Sequence, residues 1–162
     1  MSKLFKSTMT VLVAMLALGG CASTTKSTKT SLELQAIQSQ MFETSKDVAF
    51  PSTLSVFQDL GYIIESADKE TGFITASSAT QNTTGFFAAM GGHSQSSKTK
   101  ATAFVEQLTP EKAKVRLNFV IVNKGSSAYG RESQQDTVIE DPKVYESAFN
   151  KIGDAIFIRT AN

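Results

Sequence analysis

The stretch Lys114–Ile121, KVRLNFVI, decides the fold class because apolar and polar residues alternate along most of it. Successive side chains of a β-strand point to opposite faces of the sheet, so this alternation predicts a strand with one buried face. One buried face and one solvated face are typical of an antiparallel sheet. The residues that we expect to be buried are Val115, Leu117, Phe119 and Ile121, with Lys114 and Arg116 on the opposite face.

Three further strands are predicted before this one. Thr99–Leu108 alternates in the same way, and the polar turn Thr109–Lys112 joins it to the Lys114 strand. Tyr62–Ala67 and Phe73–Ala76 flank the polar turn Asp68–Gly72, which predicts a second hairpin. Together these segments predict four consecutive strands.

A helix is predicted before the first hairpin. Phe50, Leu54 and Phe57 are spaced as one face of a helix, and Gly61 at the next turn predicts its end. Pro51 is expected in the first turn, where its missing N–H removes no hydrogen bond.

A longer helix is predicted at the carboxyl end of the chain. Asp141 followed by Pro142 indicates a helix start, with Asp as the N-cap and Pro at the first helical position. The apolar stripe that follows consists of Tyr145, Phe149, Ile152 and Ile156. This stripe is expected to pack on the sheet.

The segment Leu34–Phe42 mixes strand and helix periodicity, and we favour a strand because Ile37 and Phe42 suit one. The resulting order is strand, helix, four strands, helix. We therefore predict an α+β fold, an antiparallel sheet of about five strands with two helices on one face.

The amino terminus has the pattern of a secretory signal peptide. Lys3 and Lys6 precede the apolar run Met9–Leu18, and small residues follow. Ten apolar residues span about 15 Å as a helix, roughly half of a bilayer's hydrocarbon core. A permanent transmembrane helix is therefore not expected.

The four residues Leu18-Gly19-Gly20-Cys21 resemble the lipobox of bacterial lipoproteins. The resemblance implies cleavage between Gly20 and Cys21, a diacylglycerol on the Cys21 thiol and acylation, such as palmitate, of the new amino terminus. In that family Asp after the cysteine favours the inner membrane, so Ala22 implies the outer membrane. The alternative is an ordinary signal peptide with an unrelated cysteine.

We therefore predict a signal peptide at 1–20, an acylated Cys21 with a disordered Ser/Thr/Lys tether at 21–31, and one periplasmic domain at 32–162. Loss of Lys3 and Lys6 with the signal takes sixteen basic residues to fourteen against fifteen acidic, a formal charge of −1. A nearly neutral chain gives no electrostatic reason to expect binding to nucleic acid. Cys21 is the one cysteine, so disulfides and thiolate chemistry are excluded once it is acylated.

The string FQDLGYIIESADKETGFITAS, at Phe57–Ser77, is similar to a family of small uncharacterised envelope lipoproteins. The predicted order of elements also resembles the helix-grip domains of the accessory lipoprotein of the β-barrel assembly machine. The likeness covers Leu34–Ala79, with a weaker similarity in Asp141–Phe157. That accessory lipoprotein has two such domains and a long unstructured lead, whereas this chain has one domain and a short tether.

The long Gly/Ser/Thr/Asn segment Thr80–Lys98 is interpreted as a loop with the apolar cluster Phe86, Phe87 and Met90. The cluster either contacts a partner or a lipid surface, or it folds back onto its own sheet. A second polar loop is predicted at Gly125–Asp136.

No catalytic set is found. His93 is the one histidine and no cysteine ligand accompanies it, so we expect no metal and no cofactor. We predict a non-enzymatic lipoprotein, facing the periplasm, that acts through protein contacts in envelope assembly or maintenance. The alternative is a carrier that holds a lipid or small apolar ligand between the helices and the sheet.

Overall fold

The computed structural model describes residues 29–82, 94–127 and 130–161. The described part of the chain contains three helices and seven strands. In chain order these are α1 (Ser31–Ile37), β1 (Ser39–Phe42), α2 (Lys46–Asp59), β2 (Tyr62–Asp68), β3 (Phe73–Ser78), β4 (Gln81–Asn82), β5 (Ser94–Thr109), β6 (Lys112–Ser126), β7 (Glu132–Val138) and α3 (Pro142–Thr160).

The strands form one antiparallel sheet in the order β1-β6-β5-β3-β2, with β4 added to β5 and β7 added to β6. The hairpin of β5 and β6 is the longest pairing, and Ala103 lies opposite Leu117 in its register. β1 and β7 share the other edge of β6, since β1 pairs with 113–116 and β7 with 120–126. The antiparallel sheet predicted from the alternation is confirmed.

Helices α2 and α3 pack on one face of this sheet and bury its apolar side. Val115, Leu117 and Phe119 of β6 are buried there, as predicted. Arg159 near the end of α3 donates to the Ser55 hydroxyl of α2 across 2.8 Å, which links the two helices. The α+β class, with two helices over one face, is confirmed.

The carboxyl-terminal helix begins as predicted. The Asp141 side chain accepts a hydrogen bond from the Lys143 N–H at 3.0 Å, and Pro142 stands at the first helical position. All four residues of the predicted stripe are buried: Tyr145, Phe149, Ile152 and Ile156.

The prediction of a single strand over Leu34–Phe42 is wrong. The segment contains the end of α1 and then β1. A capping box starts α1, because the Thr30 hydroxyl accepts from the Glu33 N–H and the Glu33 carboxylate accepts from the Thr30 N–H. Lys29 donates to the Glu140 carbonyl at 2.9 Å, so the folded domain begins within the last residues of the predicted tether.

The predicted place of Pro51 is also wrong. Helix α2 begins at Lys46, so Pro51 lies in its interior rather than in its first turn. Pro51 has no N–H to offer to the carbonyl four residues earlier. The hydroxyls of Ser52 and Thr53 donate to the carbonyls of Val48 and Ala49, which adds local bonding around this position.

Three strand segments lie where we predicted loops. β4 and the start of β5 fall in Thr80–Lys98, and the start of β7 falls in Gly125–Asp136. The strand segments 94–98, 122–126 and 132–136 pair with each other beyond the part covered by the helices, and we call them the β-extension.

The apolar alternation of β6 also ends earlier than predicted. Phe119 is its last core residue, whereas Ile121 is half-buried and Val122 is buried outside the core beneath the helices. Beyond Phe119 the strand leads into the β-extension, whose residues lie outside the core cluster that α2 and α3 help to bury.

The predicted hairpin of β2 and β3 is present and depends on a glycine. Gly72 has a φ of +84°, and a Cβ there would overlap the carbonyl oxygen of Val105. The Val105 N–H donates to the Gly72 carbonyl at 2.9 Å, which attaches the turn to β5. Glycine is the residue that meets both requirements.

Candidate functional site

The site residues proposed from the sequence lie outside the described residues. These are Gly20 and Cys21 of the cleavage and lipid site, and Phe86, Phe87 and Met90 of the long segment. His93, for which no metal is expected, also lies outside the described residues. Residues 29–82, 94–127 and 130–161 contain no group of histidine, cysteine and acidic side chains that could hold a metal ion. Over the same ranges, no helix combines the length and the hydrophobicity that a membrane crossing needs.

The face of the sheet opposite α2 and α3 carries an aromatic pair, of which Phe73 is exposed and Phe104 is half-buried. Phe73 of β3 lies opposite Phe104 of β5 in the register, and their ring centroids are 4.7 Å apart. The Phe73 side chain is 56% exposed. Two phenylalanines side by side on a sheet face that α2 and α3 do not cover form an apolar surface that a partner can bury.

A groove of about 450 Å³ runs beside this aromatic pair, and we call it the open-face groove. Phe73 and Phe104 form one wall, and Leu34 of α1 and Val138 of β7 also line it. Its polar side chains are Gln38 at the end of α1 and, from the two longest strands, Thr102, Arg116 and Asn118. The groove therefore combines apolar walls with polar groups and one permanent cation.

Helix α1 contributes to the groove because Gln38 attaches it to β6. The Gln38 carbonyl accepts from the Leu117 N–H at 2.8 Å, and its side-chain amide donates to the Asn118 side chain at 3.2 Å. The same amide reaches the Tyr145 hydroxyl at 3.4 Å, which itself donates to the Ile139 carbonyl. Gln38 is buried, so the wall formed by Leu34 is held by a satisfied polar network.

Arg116 is the cationic group of the groove. Its side chain is exposed and makes no hydrogen bond or ion pair within the described part of the chain. Lys112 of the same strand, by contrast, is paired with Glu43 at 3.0 Å. An unpaired guanidinium is suited to a carboxylate, which it can bind with two parallel hydrogen bonds.

A second cavity, of about 410 Å³, lies where the end of α2 meets the start of α3, and we call it the helix-end pocket. Tyr62 and Phe119 form an aromatic base with ring centroids 6.1 Å apart. Burial raises the pKa of the Tyr62 hydroxyl, so this group stays protonated and can donate a hydrogen bond. The other lining residues are Leu60, Lys143, Val144, Ser147 and Ala148.

A third cavity, of about 270 Å³, lies in the β-extension and is lined by polar residues. Several of its groups already bond to each other: the Ser94 and Ser126 hydroxyls are 2.6 Å apart, and the Ser133 hydroxyl donates to the Gly125 carbonyl. Part of its polar lining is therefore already paired within the protein.

The sequence contains a signal for the open-face groove. Phe104 occupies a position of β5 whose neighbours on the same face, Thr102 and Glu106, are polar. A large aromatic residue on the solvated side of an alternating strand indicates a contact surface rather than core. The partnership with Phe73 could not be predicted, because it depends on the register between β3 and β5.

No protein-family model matches this chain, and no curated protein sequence matches it. A crystal structure of a TBP-like protein from Parabacteroides distasonis ATCC 8503 is similar, with 15% sequence identity and a TM-score of 0.36. The match covers 73% of this chain and 90% of that chain. A likeness this slight carries neither fold nor function over to this chain.

Proposed function

We propose that this protein is a non-enzymatic, lipid-anchored lipoprotein of the outer membrane that acts through protein contacts in the periplasm. The lipobox-like residues Leu18–Cys21 support the anchor. The observation that carries the contact function is the open-face groove, in which the exposed Phe73 and the half-buried Phe104 lie beside the unpaired Arg116.

The groove suits a partner segment that has apolar side chains and a carboxylate. The apolar side chains would bury the exposed edges of Phe73 and Phe104, and the carboxylate would bind Arg116. Aromatic residues and arginine are the residue types that dominate binding energy at protein interfaces. Phe86, Phe87 and Met90 stay a proposal from the sequence for a second contact with the same partner.

The anchor is tested by the variant Cys21→Ser. We expect it to lose labelling by radioactive palmitate and to be released from the membrane fraction or left uncleaved, because the lipid chains hold the protein there. Ser23→Ala is the matched control and should be labelled and fractionated as the native chain is. A Cys21→Ser protein that is still processed and bound to membranes as before would refute the anchor.

The contact function is tested by the variant Arg116→Glu. We expect the variant to melt at nearly the same temperature as the native chain but to lose its envelope partner in cross-linked, detergent-solubilised membranes. Lys151→Glu on the exposed side of α3 makes the same charge change and should leave the partner bound. Equal recovery of the partner with both variants would contradict the groove as the contact site.

A second function is supported by the helix-end pocket. It lies between the helices and the sheet, where a carrier would hold a lipid or a small apolar ligand, and its base is aromatic. This function uses different residues from the open-face groove, so the two can be tested separately.

A further inference from the structure

The helix-end pocket has an apolar base and walls on which an aliphatic chain can pack. Phe119 and Ala148 are almost completely buried, and Tyr62 packs against both Phe57 and Phe119 with ring centroids about 6 Å away. Leu60 and Val144 are each 37% exposed, so they can still bury surface against a ligand. The volume of about 410 Å³ falls within the usual range of small-molecule sites, roughly 300–1,000 Å³.

Three polar side chains of this pocket are unpaired. The Lys143 ammonium, the Ser147 hydroxyl and the Tyr62 hydroxyl make no hydrogen bond or ion pair within residues 29–82, 94–127 and 130–161. All three can donate a hydrogen bond, and Lys143 adds a full positive charge. A ligand that meets all three therefore carries acceptor oxygens and a negative charge.

The start of α3 affects the charge of this pocket in two opposing ways. The positive end of the helix dipole lies at its first turn, which favours an anion. The Asp141 carboxylate is the N-cap and accepts from the Lys143 N–H, which offsets part of that effect. Lys143 is therefore the main source of attraction for an anion.

We propose that the helix-end pocket binds an anionic amphiphile with a single aliphatic chain, its tail along the Tyr62 ring and its head group at Lys143. The head group accepts hydrogen bonds from Lys143, Ser147 and Tyr62, and the tail covers the exposed parts of Leu60 and Val144. This inference names the site and the ligand class of the carrier function. It depends neither on the lipid at Cys21 nor on the open-face groove.

The test uses the chain from residue 21 onward with Cys21→Ser, which keeps every described helix and strand. The probe is 11-(dansylamino)undecanoic acid, and the chain has no tryptophan to add to the fluorescence signal. We expect saturable binding of the probe, which laurate displaces. The uncharged dodecanol should need at least about a tenfold higher concentration for the same displacement, because Lys143 favours a negatively charged head group. Dodecyl phosphate as a third competitor distinguishes a phosphate head group from a carboxylate.

The variant Lys143→Glu should weaken binding by at least about tenfold, since it removes the cation and adds a repelling charge. Lys151→Glu is eight residues further along the same helix, makes the same charge change and should bind like the native chain. Thermal unfolding of both variants shows whether the fold is retained. Val144→Glu makes a second change, in the apolar wall of the pocket, and its probe binding is measured in the same way.

Three results would overturn the proposal. They are no saturable binding by the parent protein, equal weakening by Lys143→Glu and Lys151→Glu, and equal competition by dodecanol and laurate. Because none of these measurements involves Cys21 acylation or Arg116, their failure would leave the anchor and contact tests unaffected.

Discussion

The two faces of the sheet are formed by the same strands, but they differ in what lies over them. On the covered face, small residues such as Ala101, Ala103 and Ala113 alternate with larger ones beneath α2 and α3, and all are buried. On the open face, the same strands present Phe104, Arg116 and Thr102 to solvent or to the groove. Burial thus determines residue choice on one face, whereas the other is free to carry a binding surface.

Substitutions on the two faces should therefore affect different properties: stability on the covered face and binding on the open face. Side chains on the covered face are held by close packing, so a change there opens a cavity and lowers the free energy of unfolding. Side chains on the open face contact few neighbours, so a change there should mainly affect what binds.

Leu117→Ala or Phe149→Ala should lower the free energy of unfolding by about 2–5 kcal/mol, because each opens a cavity between the sheet and α3. Both residues are almost completely buried. Urea denaturation followed by circular dichroism measures the change. Arg116→Ala and Lys114→Ala on the open face are the controls, and each should cost less than about 1 kcal/mol. The reverse ranking would mean that the register of β6 differs by one residue.

Gly72→Ala should lower the free energy of unfolding by about 2–4 kcal/mol, because it adds both backbone strain and an overlap with the Val105 carbonyl. Gly61→Ala is the matched control: its φ is +82°, but a Cβ there has no atom within 4 Å. It should cost about 1–2 kcal/mol from the backbone alone. Equal costs for the two variants would show that the contact between this turn and β5 adds nothing.

Phe73→Ser should change the free energy of unfolding by about 1 kcal/mol or less, because the ring is more than half exposed and loses mainly its contact with Phe104. Its effect on partner binding should be much larger than its effect on stability. Parallel urea denaturation and partner recovery on this variant measure both. A loss of several kcal/mol would place Phe73 in the core and would contradict the separation of the two faces.

The covered face could be predicted from the sequence because burial leaves a pattern. The alternation of β6, the hairpin of β2 and β3 and the stripe of α3 all follow from contact with one core. In the β-extension both faces are mostly polar, so 94–98 and 132–136 have no apolar alternation and were interpreted as loops. Their strand pairing depends on backbone hydrogen bonds with β6, and these cannot be deduced from the side-chain types.

Helix capping also explains why the strand predicted at Leu34–Phe42 is wrong. In the segment after Lys29, Ile37 and Phe42 favour a strand, but the capping box of Thr30 and Glu33 starts a helix first. The open-face groove could not be predicted for a third reason. It brings together Leu34, Phe73, Phe104 and Val138 from four different elements, and their proximity follows only from the strand order.

The smallest effect that we expect is a shift in the pKa of one carboxyl group, that of Glu33. Hydrogen bonds from Thr30 hold the pKa of Glu33 below its ordinary value of 4.5. The stabilisation from this ionised carboxylate is therefore complete above about pH 4.5 and is lost as the pH falls through the lowered pKa. Thr30→Ala should bring the pKa of Glu33 closer to its ordinary value in an NMR titration. An unchanged pKa would show that the capping box does not persist in solution.

The central claim is that the open face is the contact surface of a membrane-anchored domain, and cross-linking in cells tests it most directly. The photoreactive amino acid p-benzoylphenylalanine is placed at Phe73, or at Phe157 on α3, whose side chain is 73% exposed. The account predicts a discrete protein adduct from position 73 that Arg116→Glu abolishes, and no such adduct from position 157. An adduct from position 157 alone, or one from position 73 that Arg116→Glu leaves unchanged, would contradict it.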